Sequence, residues 1–294
     1  MPTATAKAAP SPAPAAGWSN ATLDADSFRS LALLVGESCG IVMSDLKRTM
    51  LETRLRRRLV ANGLDSFRAY AALLRTPEGL ERERQAFIDC VVTNQTSFFR
   101  EPPHFEHLTV EELRRLAAGG REHGLRLWSA ASSSGQEAYS LAMIADRASE
   151  GGRLFPFSVL ATDISLRMLR AVREGVYAAE EAETIPAPLR QRHLLPAPDG
   201  KGGFQIHADL RRHLRLGQIN LMHEQYMPGQ VMDVIFCRNV LIYFKPEDQL
   251  AVVGKLCRHL RPGGLLFLGH SESLRSAELP LRLLGCNIYE RLEG

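Results

Sequence analysis

The chain contains no apolar run approaching the roughly 18 residues of a membrane span, so insertion into a bilayer is excluded at the level of sequence. It also lacks paired cysteines. Cys39, Cys90, Cys237, Cys257 and Cys286 are odd in number, widely scattered and never spaced Cys-x-x-Cys, which excludes a disulfide framework or zinc ribbon and fits a reducing cytoplasm. A strong charge of one sign is missing too: a formal net charge of +3 is too small to indicate a nucleic-acid binder. Glycine is scarce where a dinucleotide would need it. The loop Ser132-Ser133-Ser134-Gly135-Gln136-Glu137 has one glycine and no Gly-x-Gly-x-x-Gly, which argues against an NAD dehydrogenase. His104 and His107 are three apart but have no Cys or acidic ligand motif beside them, so no metal site is expected.

What is present is an ordinary globular composition, 45% hydrophobic and 23% charged, in 294 residues, long enough for two domains. Residues 1–22 are Ala, Pro, Ser and Thr with almost no large side chains; such a tail cannot offset its ordering entropy by burial and is expected to be disordered. It has neither the charged start nor the apolar core of an export signal. Residues 23–92 carry helical periodicity throughout and divide into four short helices. In the second, Ser44 can cap the N-terminus and Leu51, Leu55 and Leu59 form an apolar stripe. At 100° per residue, Lys47, Arg54 and Arg58 fall within about 40° of one another and form a basic ridge, broadened by Arg48, Arg56 and Arg57. A solvated face and the docking of an acidic partner are both open readings of that ridge.

A connecting segment, 93–106, leads to 107–294, where strands and helices alternate as in a doubly wound α/β domain. The proline-rich stretch 178–213, with the turn Asp199-Gly200-Lys201-Gly202-Gly203, reads as an inserted helix and β-hairpin. Ligands in such sheets bind outside the carboxyl ends of the strands, and polar residues stand at those ends. The first strand runs into the small-residue loop before Glu137, and the second ends in Asp163, a ribose contact or a helix cap. The third ends in Asn220-Leu221. The fourth ends in Arg238-Asn239, set into the apolar run Phe236-Cys237-Arg238-Asn239-Val240-Leu241-Ile242-Tyr243-Phe244. Either a ligand or a local partner must meet that arginine.

Six segments, VVTNQTSFFRE, LWSAASSSGQEAYSLAM, ATDIS, INL, VIFCRNVLIYF and PGGLLFLGHSES, resemble in order and spacing the motifs of the CheR family of chemotaxis receptor methyltransferases. The resemblance spans about residues 24–290. It implies a class I S-adenosylmethionine-dependent methyltransferase: a Rossmann-like doubly wound sheet, an all-helical N-terminal domain and a small inserted β-subdomain. It also implies transfer of methyl from S-adenosylmethionine to glutamate side chains of chemoreceptors, leaving S-adenosylhomocysteine. By matching motif, Asn94, Thr96, Arg100, Glu137, Asp163, Asn220, Leu221, Arg238 and Asn239 correspond to the cofactor pocket. Where the family commonly has Gly-Glu-Glu-Pro-Tyr-Ser, this chain has Gly135-Gln136-Glu137-Ala138-Tyr139-Ser140, which keeps the second glutamate.

A glutamate substrate, with a pKa near 4.3, is already ionised at neutral pH, so its attack on the methyl group needs no general base. Positioning is the main task, and Arg100 and Tyr243 are the expected carboxylate holders. Lys47, Arg54 and Arg58 would meet the acidic receptor helices, and the hairpin could dock a receptor C-terminal tail. A nucleic-acid amino methyltransferase is disfavoured, because Arg-Asn-Val-Leu stands where an Asp/Asn-Pro-Pro-Tyr/Phe motif belongs. A non-catalytic adaptor that binds S-adenosylmethionine or a receptor is the alternative. The expectation is a cytoplasmic monomer without nucleic-acid partner or membrane insertion.

Overall fold

The structure, a computed structural model, describes residues 21–120, 123–198, 200, 202–226, 229–274 and 279–293. The tail expected over 1–22 therefore lies almost wholly outside the described residues, as does part of the 199–203 turn. The chain divides into two compact units, one formed by the residues up to Val35 with Met43–Val91, the other by Gly36–Val42 with the chain from Val92 onward. The segment 36–42, helical in its first half, thus groups with the α/β part although it interrupts the helical region in sequence.

The first unit is built from α1 (Ala25–Cys39, as far as Val35), α2 (Arg48–Asn62), α3 (Phe67–Leu74) and α4 (Pro77–Val91). The four-residue spacing of Leu51, Leu55 and Leu59 buries all three completely. Gly63 ends α2 in the left-handed conformation, and Ser66 caps α3 by accepting from the Ala69 N–H. Ser44, by contrast, makes no side-chain cap. It precedes a 3-10 turn, Asp45–Lys47, and α2 begins only at Arg48. Lys47 therefore belongs to that turn and not to α2, so the 100° progression behind the basic ridge does not run through it unchanged. Arg58 donates to both oxygens of the buried Glu83 at 2.5 and 2.8 Å, and Tyr70 donates to the same carboxylate at 3.0 Å. Arg54 donates to the Val91 carbonyl at 2.8 Å. Of the arginines in α2, Arg48 and Arg57 are exposed, and Arg57 Nε donates to Cys90 Sγ at 3.2 Å.

The second unit has a seven-stranded sheet in the order β6-β2-β1-β7-β8-β10-β9. These strands are β1 (Leu125–Ser129), β2 (Phe157–Asp163), β6 (Leu214–Gln218), β7 (Met232–Cys237), β8 (Leu260–Leu268), β9 (Leu281–Gly285) and β10 (Ile288–Arg291). The first five in spatial order are parallel, and β10 runs antiparallel to both β8 and β9. The helices α5 (Pro102–His107), α6 (Val110–Gly120), α7 (Gln136–Ala148), α8 (Leu166–Glu174) and α11 (Pro246–His259) complete the doubly wound layers. Every residue of β7 is buried, as a central parallel strand covered on both faces requires. Gly124 enters β1 at φ +67° with the Pro156 carbonyl 1.9 Å from where a Cβ would lie, so no other residue fits there.

Between α8 and β6 the inserted segment forms α9 (Ala187–His193), a second sheet and the short α10 (Ala208–Arg211). The expected hairpin is β4 (Leu194–Pro196) with β5 (Phe204–Ile206), but β5 also pairs with β3 (Val176–Tyr177), making three strands. Phe98 packs edge-on against Tyr177 at 5.0 Å and close to Phe204 at 5.9 Å, which ties the connecting segment to this subdomain.

The Arg58–Glu83 pair yields a stability prediction. Burial pushes the Glu83 carboxyl up, but Arg58, Asn62 and Tyr70 together hold it below its ordinary value. A carboxyl depressed in the folded state adds stability above its unfolded pKa and loses it as pH falls through the folded one. Arg58→Ala, which strands a buried charge, is expected to cost about 3 kcal/mol in urea unfolding at neutral pH. That deficit should shrink as the pH is lowered through the carboxylate range.

Candidate functional site

At the carboxyl ends of β1, β2 and β7 lies a cavity with about 840 Å³ of empty space, counted out into solvent. It is lined by Asn94, Thr96, Arg100, Glu137, Asp163, Asn220, Leu221, Arg238, Asn239 and Tyr243, so the residues singled out by motif in this unit are brought together. Cys39, Ile41, Val92, Ser133, Ile164, Ile219, Val240 and Phe244 also line it. Apolar walls with a few convergent charges are what a nucleoside-sized ligand requires.

The local chain path explains the convergence. Ser133, at φ +49°, and Gly135, at φ +102°, turn the chain sharply from β1 into α7, whose first turn carries Glu137. Asp163 closes that turn: its Oδ2 accepts from the Ser133 N–H and its Oδ1 from the Ser165 N–H, each at 2.9 Å. Ser133 Oγ in turn donates to the Asn94 carbonyl at 2.9 Å, and Phe99 N–H donates to Ser140 Oγ at 3.0 Å, so the connecting segment is fastened to the α7 end.

Arg238 is 5% exposed and sits among carboxylates. Its Nη2 donates to the Arg100 carbonyl at 2.6 Å and lies 3.4 Å from Glu101 Oε2, while Nε is 3.7 Å from Glu137 Oε2. Neither Nε nor Nη1 makes a hydrogen bond. A buried guanidinium with two unbonded nitrogens on a cavity wall fits a ligand that brings an acceptor, a carboxylate above all. Glu137 accepts from Ser129 Oγ at 2.7 Å. Burial pushes its carboxyl up against the pull of Arg238, so it gains from any cationic group that approaches. The thiol of Cys39 is pushed up to about 11 by burial and stays protonated at neutral pH, which removes it as a nucleophile.

Asn239 has φ +58°, and two carboxylates keep it there. Its side-chain amide donates to Glu101 Oε1 at 3.0 Å, and its backbone N–H to Glu272 Oε2 at 2.8 Å. Glu272, 5% exposed, also accepts from the N–H groups of Leu241, Ile242 and Gly269. The apolar run beyond Cys237 is consequently not strand. It leaves the sheet, and Tyr243 ends a 3-10 turn, Leu241–Tyr243, on the cavity wall. Arg100 Nη1 donates to the Gln95 carbonyl at 2.9 Å, which aligns its side chain along the connecting segment.

Asn220, on the cavity wall, also braces the β6 loop: its Nδ2 donates to the Ser38 carbonyl at 2.8 Å and its Oδ1 accepts from the Met222 N–H at 3.0 Å. Glu101 and Glu272 were given no role by sequence reasoning, although both lie inside quoted motifs beside Arg100 and His270; nothing in their spacing signals which backbone groups they hold.

A family model described as "CheR methyltransferase, SAM binding domain" matches residues 94–289, and one described as "CheR methyltransferase, all-alpha domain" matches 26–92. The chain belongs to the CheR methyltransferase family. Its fold class and its nature as an S-adenosylmethionine-dependent methyltransferase follow from that membership. Among CheR relatives, a "Chemotaxis protein methyltransferase" of Salmonella typhimurium is 37% identical over 266 residues, covering 89% of this chain and 88% of its own. "Chemotaxis protein methyltransferase 2" of Pseudomonas aeruginosa is 35% identical over 290 residues, 98% of this chain and 99% of its own. Solved structures that match include TrmN from Thermus thermophilus (TM-score 0.35, 18% identity, 62% and 48% of the two chains). The glycopeptide N-methyltransferase MtfA complexed with sinefungin also matches (TM-score 0.33, 14% identity, 74% and 70%). No helix among the described residues is long and apolar enough to cross a membrane.

The four N–H groups gathered by Glu272 give a direct test of this CheR pocket. Glu272→Ala is expected to destabilise the protein by about 3 kcal/mol and to weaken S-adenosylmethionine binding measured by calorimetry. Glu272→Gln, which keeps one acceptor oxygen, should fall between.

Proposed function

We propose that this chain transfers the methyl group of S-adenosylmethionine to glutamate side-chain carboxylates of chemoreceptors, forming glutamyl methyl esters in chemotaxis adaptation. The observation that carries this reading is that Arg100 and Tyr243 line the same cavity as Glu137, Asp163 and Arg238, so a carboxylate clamp and a cofactor pocket share one space. Relatives bearing the name chemotaxis protein methyltransferase over nearly the whole chain support the receptor as substrate.

When bound, S-adenosylmethionine supplies a methyl group made electrophilic by its sulfonium. The remaining tasks belong to the protein. Glu137 and Arg238 receive the amino and carboxylate groups of the methionine end, and Asp163 the ribose hydroxyls. Asn94 and Thr96 cover the pocket from the connecting segment, and Leu221 and Asn239, with the backbone of Asn220, complete its wall. Arg100 grips the incoming glutamate with a two-pronged guanidinium, and Tyr243 adds one hydroxyl donor. No residue need act as general base, because the substrate carboxylate is already an anion. Since attacking and attacked groups carry opposite charges that cancel, a dry and preorganised pocket favours the reaction.

Recognition of the receptor falls to basic residues of the helical unit. Lys47 and Arg54, half-buried, and Arg48 and Arg57, exposed, are the contacts to clustered receptor glutamates; Arg58, engaged with Glu83, contributes by holding the helix. The β4 edge of the inserted sheet, with Leu195 exposed, suits a receptor tail added as a further strand. In this reading the enzyme works as a cytoplasmic monomer.

Labelled methyl should pass from S-adenosylmethionine to receptor-containing membranes and be released by alkali; binding without transfer would leave only an adaptor. Arg100→Ala should lower kcat on the order of 100-fold and Tyr243→Phe about tenfold, as lost orientation and one lost hydrogen bond imply. For docking, the double variant Lys47→Ala/Arg54→Ala should raise KM for receptor and leave S-adenosylmethionine affinity unchanged. Equal loss of both would sink the docking assignment.

A further inference from the structure

The sequence predicts no metal site at His104 and His107, but the fold brings His104 together with other groups. Its ring is fully buried, edge-on to Phe267 at 5.6 Å and to His270 at 5.3 Å. Nε2 lies 2.7 Å from the Cys286 carbonyl, so Nε2 carries the proton and Nδ1 presents a lone pair. Nδ1 lies 3.4 Å from Glu101 Oε2, and neither atom has a hydrogen-bond partner. His270 Nε2 stands 3.8 Å from the same oxygen, and the three ligand atoms all lie within 4.8 Å of one another.

Two facing acceptors inside a protein repel unless something positive lies between them. A proton on Nδ1 is one solution. A metal ion is the other. A tetrahedral ion with bonds of about 2.0–2.2 Å holds its ligand atoms about 3.4 Å apart, close to the spacing of Glu101 from His104 and within side-chain adjustment of its spacing from His270. Donation of the far ring nitrogen to a backbone carbonyl is how a ligating imidazole is usually oriented. His270, with a side chain 51% exposed, provides the entry side.

We propose that Glu101, His104 and His270 form a binding site for a divalent transition-metal ion of the zinc class, with a fourth position left to water. Two nitrogens and one carboxylate oxygen favour Zn²⁺ over Mg²⁺. Arg238 Nη2, 3.4 Å from the same Glu101 oxygen, opposes the ion and limits its affinity. The opposition also gives the site a consequence: an ion that draws Glu101 towards the histidines loosens its hold on Arg238 and Asn239, so metal and S-adenosylmethionine antagonise each other. The antagonism rests on the assignment of Arg238 and Asn239 to the cofactor; the metal site does not.

The test is calorimetric titration of the full chain with Zn²⁺ alone, in chelator-free buffer at neutral pH. The wild type should take up one equivalent, with affinity at least tenfold lower in His270→Ala, whose exposed side chain is not needed for folding. His104→Gln, able to keep a bond to the Cys286 carbonyl, should show a similar loss, and Mg²⁺ should not compete. Cys286→Ser should bind as the wild type does. Absence of uptake, unchanged uptake in His270→Ala, or loss in Cys286→Ser would overturn the site. With Zn²⁺ present, S-adenosylmethionine affinity should fall severalfold in the wild type and not in His270→Ala; an unchanged wild-type affinity would overturn the antagonism and leave the metal site standing.

Discussion

Keeping a guanidinium buried at the end of a central parallel strand is the constraint on which the rest of the cavity depends. Arg238 follows a strand with no exposed residue and is itself almost inaccessible, so its charge must be met within the protein. Glu101 and Glu137 meet it from two directions, one from the connecting segment and one from the first turn of α7. The arginine therefore fixes where those two segments come together, and the cavity is the space between them. Its two unbonded nitrogens leave the arrangement incomplete in a way that an anionic ligand group would complete.

The same demand for charge balance explains the strain nearby. Phe99, Glu101, Ser133 and Asn239 all have positive φ without being glycine, a conformation that costs free energy unless neighbouring groups over-determine it. Glu272 does so for the loop after β7 by collecting three of its backbone N–H groups, with that of Gly269 after β8, and Asp163 joins the loops after β1 and β2 by collecting one N–H from each. Both carboxylates thus stand behind the loops whose side chains form the pocket. A pocket held this way is preorganised before anything binds, which suits a reaction whose barrier is lowered chiefly by positioning.

Much of this was legible in the sequence, for reasons that differ by element. The parallel strands announced themselves because a strand covered on both faces needs an unbroken apolar run, and polar residues at the run's end mark where the sheet opens to a ligand. Hence Asp163, Arg238 and Asn239 could be named. Strands β9 and β10 gave no comparable signal: four of the five residues of β9 are exposed, so no alternation separates it from a loop. The 3-10 turn before α2, which takes Lys47 off the 100° progression, left no signal in the spacing of the basic ridge. Glu83, one of four acids in α4, could not be seen in advance as the partner that removes Arg58 from the surface. The bonds of Asn220 to the Ser38 carbonyl and the Met222 N–H were not legible, because an amide serves a loop backbone as readily as a ligand.

Glu101 is the residue where these threads meet. One of its oxygens accepts from Asn239, and the other faces Arg238, His104 and His270 without a hydrogen bond of its own. Burial pushes its carboxyl up, yet Asn239, Arg238 and the histidines outweigh that and hold it below its ordinary value, so the anion persists at neutral pH. A fixed anion shared by the cofactor-side arginine and a buried imidazole couples whatever happens at one to the other. Arg238 and the two histidines face the same Oε2, so the proposed coupling is expressed as competition for a single oxygen.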